Sequence, residues 1–223
     1  MDYAIARANM IDSQIRPNGV TDRAVIAAMS QVPRELYLPP ERRHLAYMDE
    51  CTPIKDATGD TPARYLMEPR VFAKLLQLAE VTPRDLVLDI GSGTGYSAAV
   101  LATMAASVVA VERDDDLAHA ASATLKEQQV TNVAVVQGVL SEGYPQEAPY
   151  DVIMLEGSVP EVPQRLLDQL ADGGRLVAVI GAPPLGRARV YLRVGETISW
   201  RDDFDAAIAP LPDFVVKKPQ FVF

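Results

Sequence analysis

Between Leu86 and Ile180, short apolar runs alternate with longer segments whose apolar positions recur every three or four residues. Leu86–Ile90, Ser107–Val111, Val133–Gln137, Tyr150–Glu156 and Arg175–Ile180 have the composition of strands buried on both faces. The segments around them read as helices. Arg70–Ala79 places Val71, Phe72, Leu75, Leu76 and Ala79 on one broad face. Ser97–Ala106 follows a glycine-rich turn, and Asp114-Asp115-Asp116 opens a further helix with charge that suits the helix dipole. Pro160–Ala171 reads as a helix with proline in its first turn, broken by Gly173-Gly174. Such alternation predicts an open parallel α/β sheet. Beyond it the period changes to two: Val190, Leu192 and Val194 alternate with Arg189, Tyr191 and Arg193, and Thr197–Arg201 follows Gly195-Glu196. That is the pattern of an antiparallel hairpin, which brings the sheet to seven strands.

The first 80 residues follow another plan. Ala4–Ser13 reads as a helix, Arg16-Pro17-Asn18-Gly19 as a turn, and Thr21 as the N-cap of a helix through Met29. A loop-rich stretch runs on to Arg64. The expected division is a helical, loop-rich extension over 1–80, serving as lid or substrate platform, and a ligand-binding domain over 81–223.

The chemistry concentrates where the first predicted strand of the sheet ends, in Asp89-Ile90-Gly91-Ser92-Gly93-Thr94-Gly95-Tyr96. Glycines at alternate positions let the backbone turn sharply and let a ligand approach closer than a Cβ would allow. A dinucleotide fingerprint needs its third glycine where this chain has Tyr96, which disfavours a nicotinamide enzyme. The run G-x-G-x-G behind an acidic residue resembles motif I of the S-adenosylmethionine (SAM)-dependent methyltransferases. The next strand closes on Glu112, about 20 residues past Gly91, the offset at which a carboxylate meets a ribose in such units. The fold expectation is therefore a Rossmann-like α/β methyltransferase: a mostly parallel seven-stranded sheet, helices on both faces, an N-terminal helical extension and C-terminal antiparallel strands.

Composition narrows the partners. Thirty acidic against 21 basic residues give a net charge of −9, which argues against nucleic acid. The single cysteine, Cys51, excludes an internal disulfide and suits a reducing, cytoplasmic setting. The N-terminus lacks a basic stretch followed by an apolar one, and the uncharged run Ile90–Val111 is interrupted by glycines, so neither a signal peptide nor a membrane span is expected. His44 and His119 read as surface or packing residues, and no metal is expected.

Beyond these features, nearly the whole chain resembles the protein-L-isoaspartate O-methyltransferase family. The resemblance runs through Met10-Ile11-Asp12-Ser13-Gln14, Val25–Met29, Val32-Pro33-Arg34-Glu35, Ala46-Tyr47, Val87–Ala102, Ala148-Pro149-Tyr150-Asp151 and Pro163–Leu170. It implies methyl transfer from SAM to the carboxylate of an isoaspartyl residue in damaged peptide, hence protein repair. A divergent enzyme acting on another carboxylate, or a non-catalytic SAM-binding homologue, are the alternatives. Asp89, Gly91, Ser92, Gly93 and Gly95 are expected at the methionine end of SAM, Glu112 at the ribose, and Arg113 with the backbone of Val139 and Leu140 at the adenine. Three positions depart from the family pattern. Met67 stands where its Ser-x-Pro serine would contact the substrate carboxylate, with Glu68 beside it. Val139 replaces an adenine-side aspartate, and Glu156-Gly157-Ser158 replaces small polar residues after the fourth strand. Tyr65, Met67, Glu68 and Glu156 are the expected substrate rim.

Overall fold

A computed structural model of the chain describes residues 1–59 and 61–214. The N-terminal segment folds into α1 (Tyr3–Met10), one wider and one tighter turn through Asn18, and α2 (Arg23–Gln31). The cap of α2 is Asp22 and not Thr21: its carboxylate accepts from the N–H groups of Ala24 and Val25 at 2.7 and 3.3 Å. Within the stretch expected to be loop, β1 (Thr52–Lys55) and β2 (Arg64–Leu66) pair as an antiparallel hairpin. Then come α3 (Pro69–Ala79), β3 (Leu86–Ile90), α4 (Tyr96–Ala102), β4 (Ser107–Glu112), α5 (Asp115–Glu127) and β5 (Val133–Gln137). The chain finishes with β6 (Tyr150–Val159), α6 (Gln164–Leu167), β7 (Leu170–Ala182), β8 (Leu185–Val194) and β9 (Thr197–Asp205).

The large sheet has the order β5-β4-β3-β6-β7-β8-β9. Strands β3 to β7 pair in parallel, and β8 and β9 add as an antiparallel meander. Strand order reverses between β3 and β6, because the chain builds outward to β5 and then returns to the far side of β3. Open α/β sheets bind ligands at the carboxyl ends of the strands at such a reversal.

Side-chain alternation distributes two cores. Val87, Val108, Ala110, Val152, Met154 and Val177 face the N-terminal segment, α3 and α4. Leu88, Ile90, Val109, Val111, Ile153 and Leu176 face the opposite side, where α6 and two single helical turns pack. The expected helix over Pro160–Ala171 is reduced there to four residues. The prolines at 160 and 163 cannot donate to a helical ladder, and Leu170-Ala171 have joined β7. Gly173-Gly174 lie inside β7 rather than ending a helix. The pairing jumps from Tyr150–Leu170 to Val152–Arg175, and a Cβ on Gly174 would come within 2.9 Å of the carbonyls of Ala171 and Tyr150. They form a bulge that only a bare backbone accommodates.

Helix α3, which presses on the sheet behind the site, ends on Glu80 in the left-handed region (φ 49°). Arg175 fastens this end, donating to the carbonyls of Ala79 and Glu80 at 2.7 and 3.0 Å and pairing with Asp85 at 2.8 Å. All three contacts are independent of the Glu80 side chain, so Glu80→Gly relieves the backbone strain and nothing else. It should raise stability by about 0.5–1 kcal/mol, read from the shift of the urea midpoint at unchanged slope.

Candidate functional site

The turn after β3 is built around three glycines with positive φ: Gly91 (84°), Gly93 (57°) and Gly95 (92°). The N–H of Gly91 continues the sheet by donating to Val111 O at 2.8 Å, and Gly95 caps α4. A Cβ on Gly91 would fall 2.6 Å from a methyl of Leu211, and one on Gly93 2.6 Å from Ile54. The turn is therefore roofed by two elements that the sequence pattern did not place there: the β1–β2 hairpin and the segment after β9. That segment is held by Ser158, whose N–H donates to Ala209 O and whose carbonyl accepts from Leu211 N, both at 2.9 Å.

Glu112, at the end of β4, is completely buried and accepts from five donors. Arg64 of β2 grips it two-pronged, Nη1 to Oε1 at 2.6 Å and Nη2 to Oε2 at 2.8 Å. The N–H groups of Gly93, Arg113 and Asp114 supply the rest at 2.8, 2.8 and 2.9 Å. A carboxylate has about four lone-pair positions, so ribose hydroxyls can bind here only by displacing one of these donors. Arg64 is the one not fixed by the local backbone. A second tie holds the hairpin down: Lys55 reaches Asp114 at 2.6 Å and Asp116 at 2.8 Å. Asp114 also caps α5 through Leu117 N, in keeping with the helix-start reading of the acidic triplet.

Arg64 divides the space at the strand ends. On its outer side a groove of about 380 Å³ lies between Thr61-Pro62, Arg113–Asp115 and Pro212. On the inner side Arg34, Met67, Ser92, Tyr96 and Glu156 enclose a void of about 10 Å³, room for one water. Four buried polar atoms of this inner region have no hydrogen-bond partner: Asp89 Oδ1, Ser92 Oγ, Tyr96 Oη and Glu156 Oε1. Such a cluster of unsatisfied groups marks a place built for something else to bond. The other oxygen of Asp89 accepts from Ser97 Oγ at 2.7 Å. Burial, opposed by that hydrogen bond and reinforced by the charge of Glu112, pushes the Asp89 carboxyl up to about 7. Burial, then the proximity of Asp89, raises Glu156 well above the usual glutamate range, with Arg34 opposing.

Arg34 is itself buried. Its Nε donates to Ala46 O at 2.8 Å and Nη2 to Met67 O at 2.7 Å, and its guanidinium carbon sits 4.8 Å from the centre of the Tyr96 ring. No carboxylate lies within ion-pair distance of it among the described residues. Tyr65 and Met67 line the inner void, as the rim reading expected, whereas Glu68 turns aside to Arg70 at 2.8 Å.

On the outer side, Val139 is exposed and Leu140 is buried in the second core, its N–H donating to Asp213 Oδ2 at 3.1 Å. Asp213 also pairs with the Arg113 side chain. A carboxylate thus stands at the corner where Val139 offers none, contributed from far along the chain. Glu156 does not follow the fourth strand but lies within it, because β6 continues to Val159 around a bulge. Between the Met154–Val177 and Ser158–Val179 pairs, β6 has two residues more than β7, and Glu156, within that bulge, lines the void. Arg64, Ile54, Leu211 and Asp213 were missed from the sequence. Arg34 and Tyr96 were visible only as parts of motifs.

Among the described residues no group of His, Cys, Asp or Glu is arranged to hold a metal, and no helix is long and apolar enough to cross a membrane.

A glycine turn at the β3/β6 reversal, with buried carboxylates at the carboxyl ends of β3 and β4, defines an α/β protein of the SAM-methyltransferase class. Within that class, the chain belongs to the protein-L-isoaspartate(D-aspartate) O-methyltransferase family, whose profile matches residues 6–204. A protein-L-isoaspartate O-methyltransferase of Methanoculleus marisnigri is 44% identical over 175 residues, 78% of this chain and 77% of its own. One of Gloeobacter violaceus is 42% identical over 212 residues, 95% of this chain and 99% of its own. Among solved structures, a protein-L-isoaspartate O-methyltransferase superposes with a TM-score of 0.80 at 23% identity, over 93% of this chain and 67% of that one. A Plasmodium falciparum protein assigned to the same activity, solved with S-adenosyl-L-homocysteine, gives 0.76 at 22%, over 93% and 98%.

The pairing of Arg64 with Glu112 gives a first test of this geometry. Glu112→Ala leaves a guanidinium buried without its counter-charge and should cost about 3–5 kcal/mol of folding stability, measured by urea unfolding without added ligand. Arg64→Met in the same chain should recover a large part of that loss.

Proposed function

We propose that this chain transfers the methyl group of SAM to a peptide or protein carboxylate, in the first instance that of an isoaspartyl residue. The observation that carries the reading is the glycine turn beside buried Glu112, at the one place where strand order reverses. The residues present fit SAM. Asp89 Oδ1, Ser92 Oγ and the turn backbone offer the unsatisfied groups that its methionine end requires. Gly91 and Gly93 are bare where a close approach is needed. Glu112 is held by three backbone donors that remain when Arg64 leaves, ready to accept from ribose hydroxyls. The outer groove along Arg113 and Asp115 has the size and position for the adenine.

When bound, SAM supplies an activated methyl group on a sulfonium. The chain's own task is to position. A substrate carboxylate, with an unperturbed pKa of about 4, is ionised at neutral pH and needs no general base. Holding two reactants in line can contribute about 7–11 kcal/mol by itself. No histidine is called upon: His44 and His119 are both exposed. Ile54 and Leu211, which lie over the glycine turn, shield the reacting centre from water. A role in protein repair and a cytoplasmic setting belong to the same reading, supported by the family and by the lone cysteine. Met67 and Glu156 favour a second reading on the acceptor alone, in which another carboxylate is methylated at the same site.

The direct test is transfer of label from SAM to an isoaspartyl peptide, scored as base-labile methyl ester. A protein that binds SAM and leaves the isoaspartyl peptide at background while esterifying another carboxylate would establish the second reading. Calorimetry tests the role of Arg64: since it competes with the ribose for Glu112, Arg64→Ala should bind S-adenosylhomocysteine more tightly, by roughly tenfold or about 1.4 kcal/mol. Weaker binding would instead place Arg64 among the ligand's own contacts.

A further inference from the structure

Resting on the proposed carboxylate acceptor, we propose that the Glu156 carboxyl is the hydrogen-bond donor that receives the acceptor's carboxylate in this chain, opposite the Arg34 guanidinium.

Several observations converge on this pair. Glu156, in the bulge of β6, lines the inner void, whose wall it shares with Arg34, Met67, Ser92 and Tyr96. Its Oε1 is buried and has no partner. Arg34, on the N-terminal segment, is a buried cation that donates to two backbone carbonyls and has no carboxylate within ion-pair distance among the described residues, so an anion from outside completes it. Met67, on the same wall, cannot donate a hydrogen bond. A carboxylate arriving here needs donors on more than one side, and an ionised Glu156 would repel it. The arrangement is consistent with an anionic acceptor only if Glu156 carries its proton.

The surroundings impose that state. From β3, Asp89 faces Glu156 and competes with it for ionisation; Ser97 donates to Asp89 and so favours the charged form there. From α4 comes the Tyr96 phenol, which burial keeps neutral. From β2 comes Tyr65, and near Arg34 lies the Cys51 thiol, raised by burial. The Glu112 charge is already compensated by Arg64. Arg34 alone opposes, and burial and Asp89 outweigh it. Burial and the neighbouring Asp89 thus both favour the protonated form of Glu156.

Glu156 takes no part in the bond changes. A lone pair of the acceptor oxygen forms the O–CH₃ bond as the S–CH₃ bond breaks, and that electron pair remains on sulfur. Ester and neutral thioether result, with no net proton gained or lost. Glu156 keeps its proton throughout and acts by holding the acceptor.

The sign of the pH effect follows. The donor is present while Glu156 is protonated and is lost as pH rises through its elevated pKa, so acceptor binding should weaken on the alkaline side while SAM binding does not follow the same curve. The experiment measures an isoaspartyl peptide titrated calorimetrically into the protein saturated with S-adenosylhomocysteine, across pH 5.5 to 9, alongside methyl transfer. In the wild-type chain peptide affinity should fall with rising pH. Glu156→Gln, which donates at every pH, should flatten that fall and stay within about threefold of wild type at low pH. Glu156→Ala should lose at least about tenfold in peptide affinity, the equivalent of about 1.4 kcal/mol, and retain S-adenosylhomocysteine binding as proof of folding. Peptide affinity that rises with pH, an unimpaired Glu156→Ala, or a folded Glu156→Gln as impaired as Glu156→Ala would each overturn the assignment. A wild-type protein that binds S-adenosylhomocysteine but neither binds nor methylates any carboxylate peptide would instead remove the acceptor reading on which the assignment rests.

Discussion

A single buried carboxylate gathers the site. Glu112 accepts from the glycine turn through Gly93, from the entry to α5 through Arg113 and Asp114, and from the β1–β2 hairpin through Arg64. Desolvating such a charge is tolerable only because every lone pair finds a donor. The consequence is that three segments far apart in sequence are brought to one point. Removing the ion from this point would loosen the hairpin, the turn and the helix start together. On the proposed reading a ribose reuses the same carboxylate, which makes the roof and the cofactor competitors for it.

Two spaces of unequal size lie at the strand ends. The outer groove is open at about 380 Å³, whereas the inner void holds about 10 Å³. Arg64 lines the groove and, with Leu211, lies against Gly91 of the glycine turn. The ties on the hairpin differ in kind. Arg64–Glu112 is buried, while the Lys55 pairs with Asp114 and Asp116 reach toward solvent and are weakened by salt.

Much of the scaffold was legible in the sequence because local pattern determines it. The five parallel strands, the glycine turn and the C-terminal hairpin each announce themselves within ten residues or so. What failed did so for identifiable reasons. The helix expected over Pro160–Ala171 shrank because its prolines lack donors and its end pairs with a distant strand. The N-cap moved from Thr21 to Asp22 by one position, a distinction that composition alone does not draw. In the site, the glycines and the two strand-end carboxylates Asp89 and Glu112 were readable from spacing. Arg64, Leu211 and Asp213 were not, because their roles depend on contacts across more than forty positions of chain. Glu68, expected at the substrate rim, pairs with its neighbour Arg70, a contact two residues away that the sequence reading did not consider.

The bulge in β6 deserves to be seen for what it separates. On either side of Leu155–Gly157 the strand keeps regular partners, Met154 with Val177 and Ser158 with Val179. On the β3 side the ladder runs on through Leu155, opposite Ile90, so the residue proposed to meet the acceptor sits in a bulge on the β7 side alone. Chemistry at this point can drift, from a small side chain to an acid, without the frame that grips the nucleotide being rebuilt. On the proposed reading, acceptor preference is decided by an irregularity, and the regular part of the fold is free to stay the same.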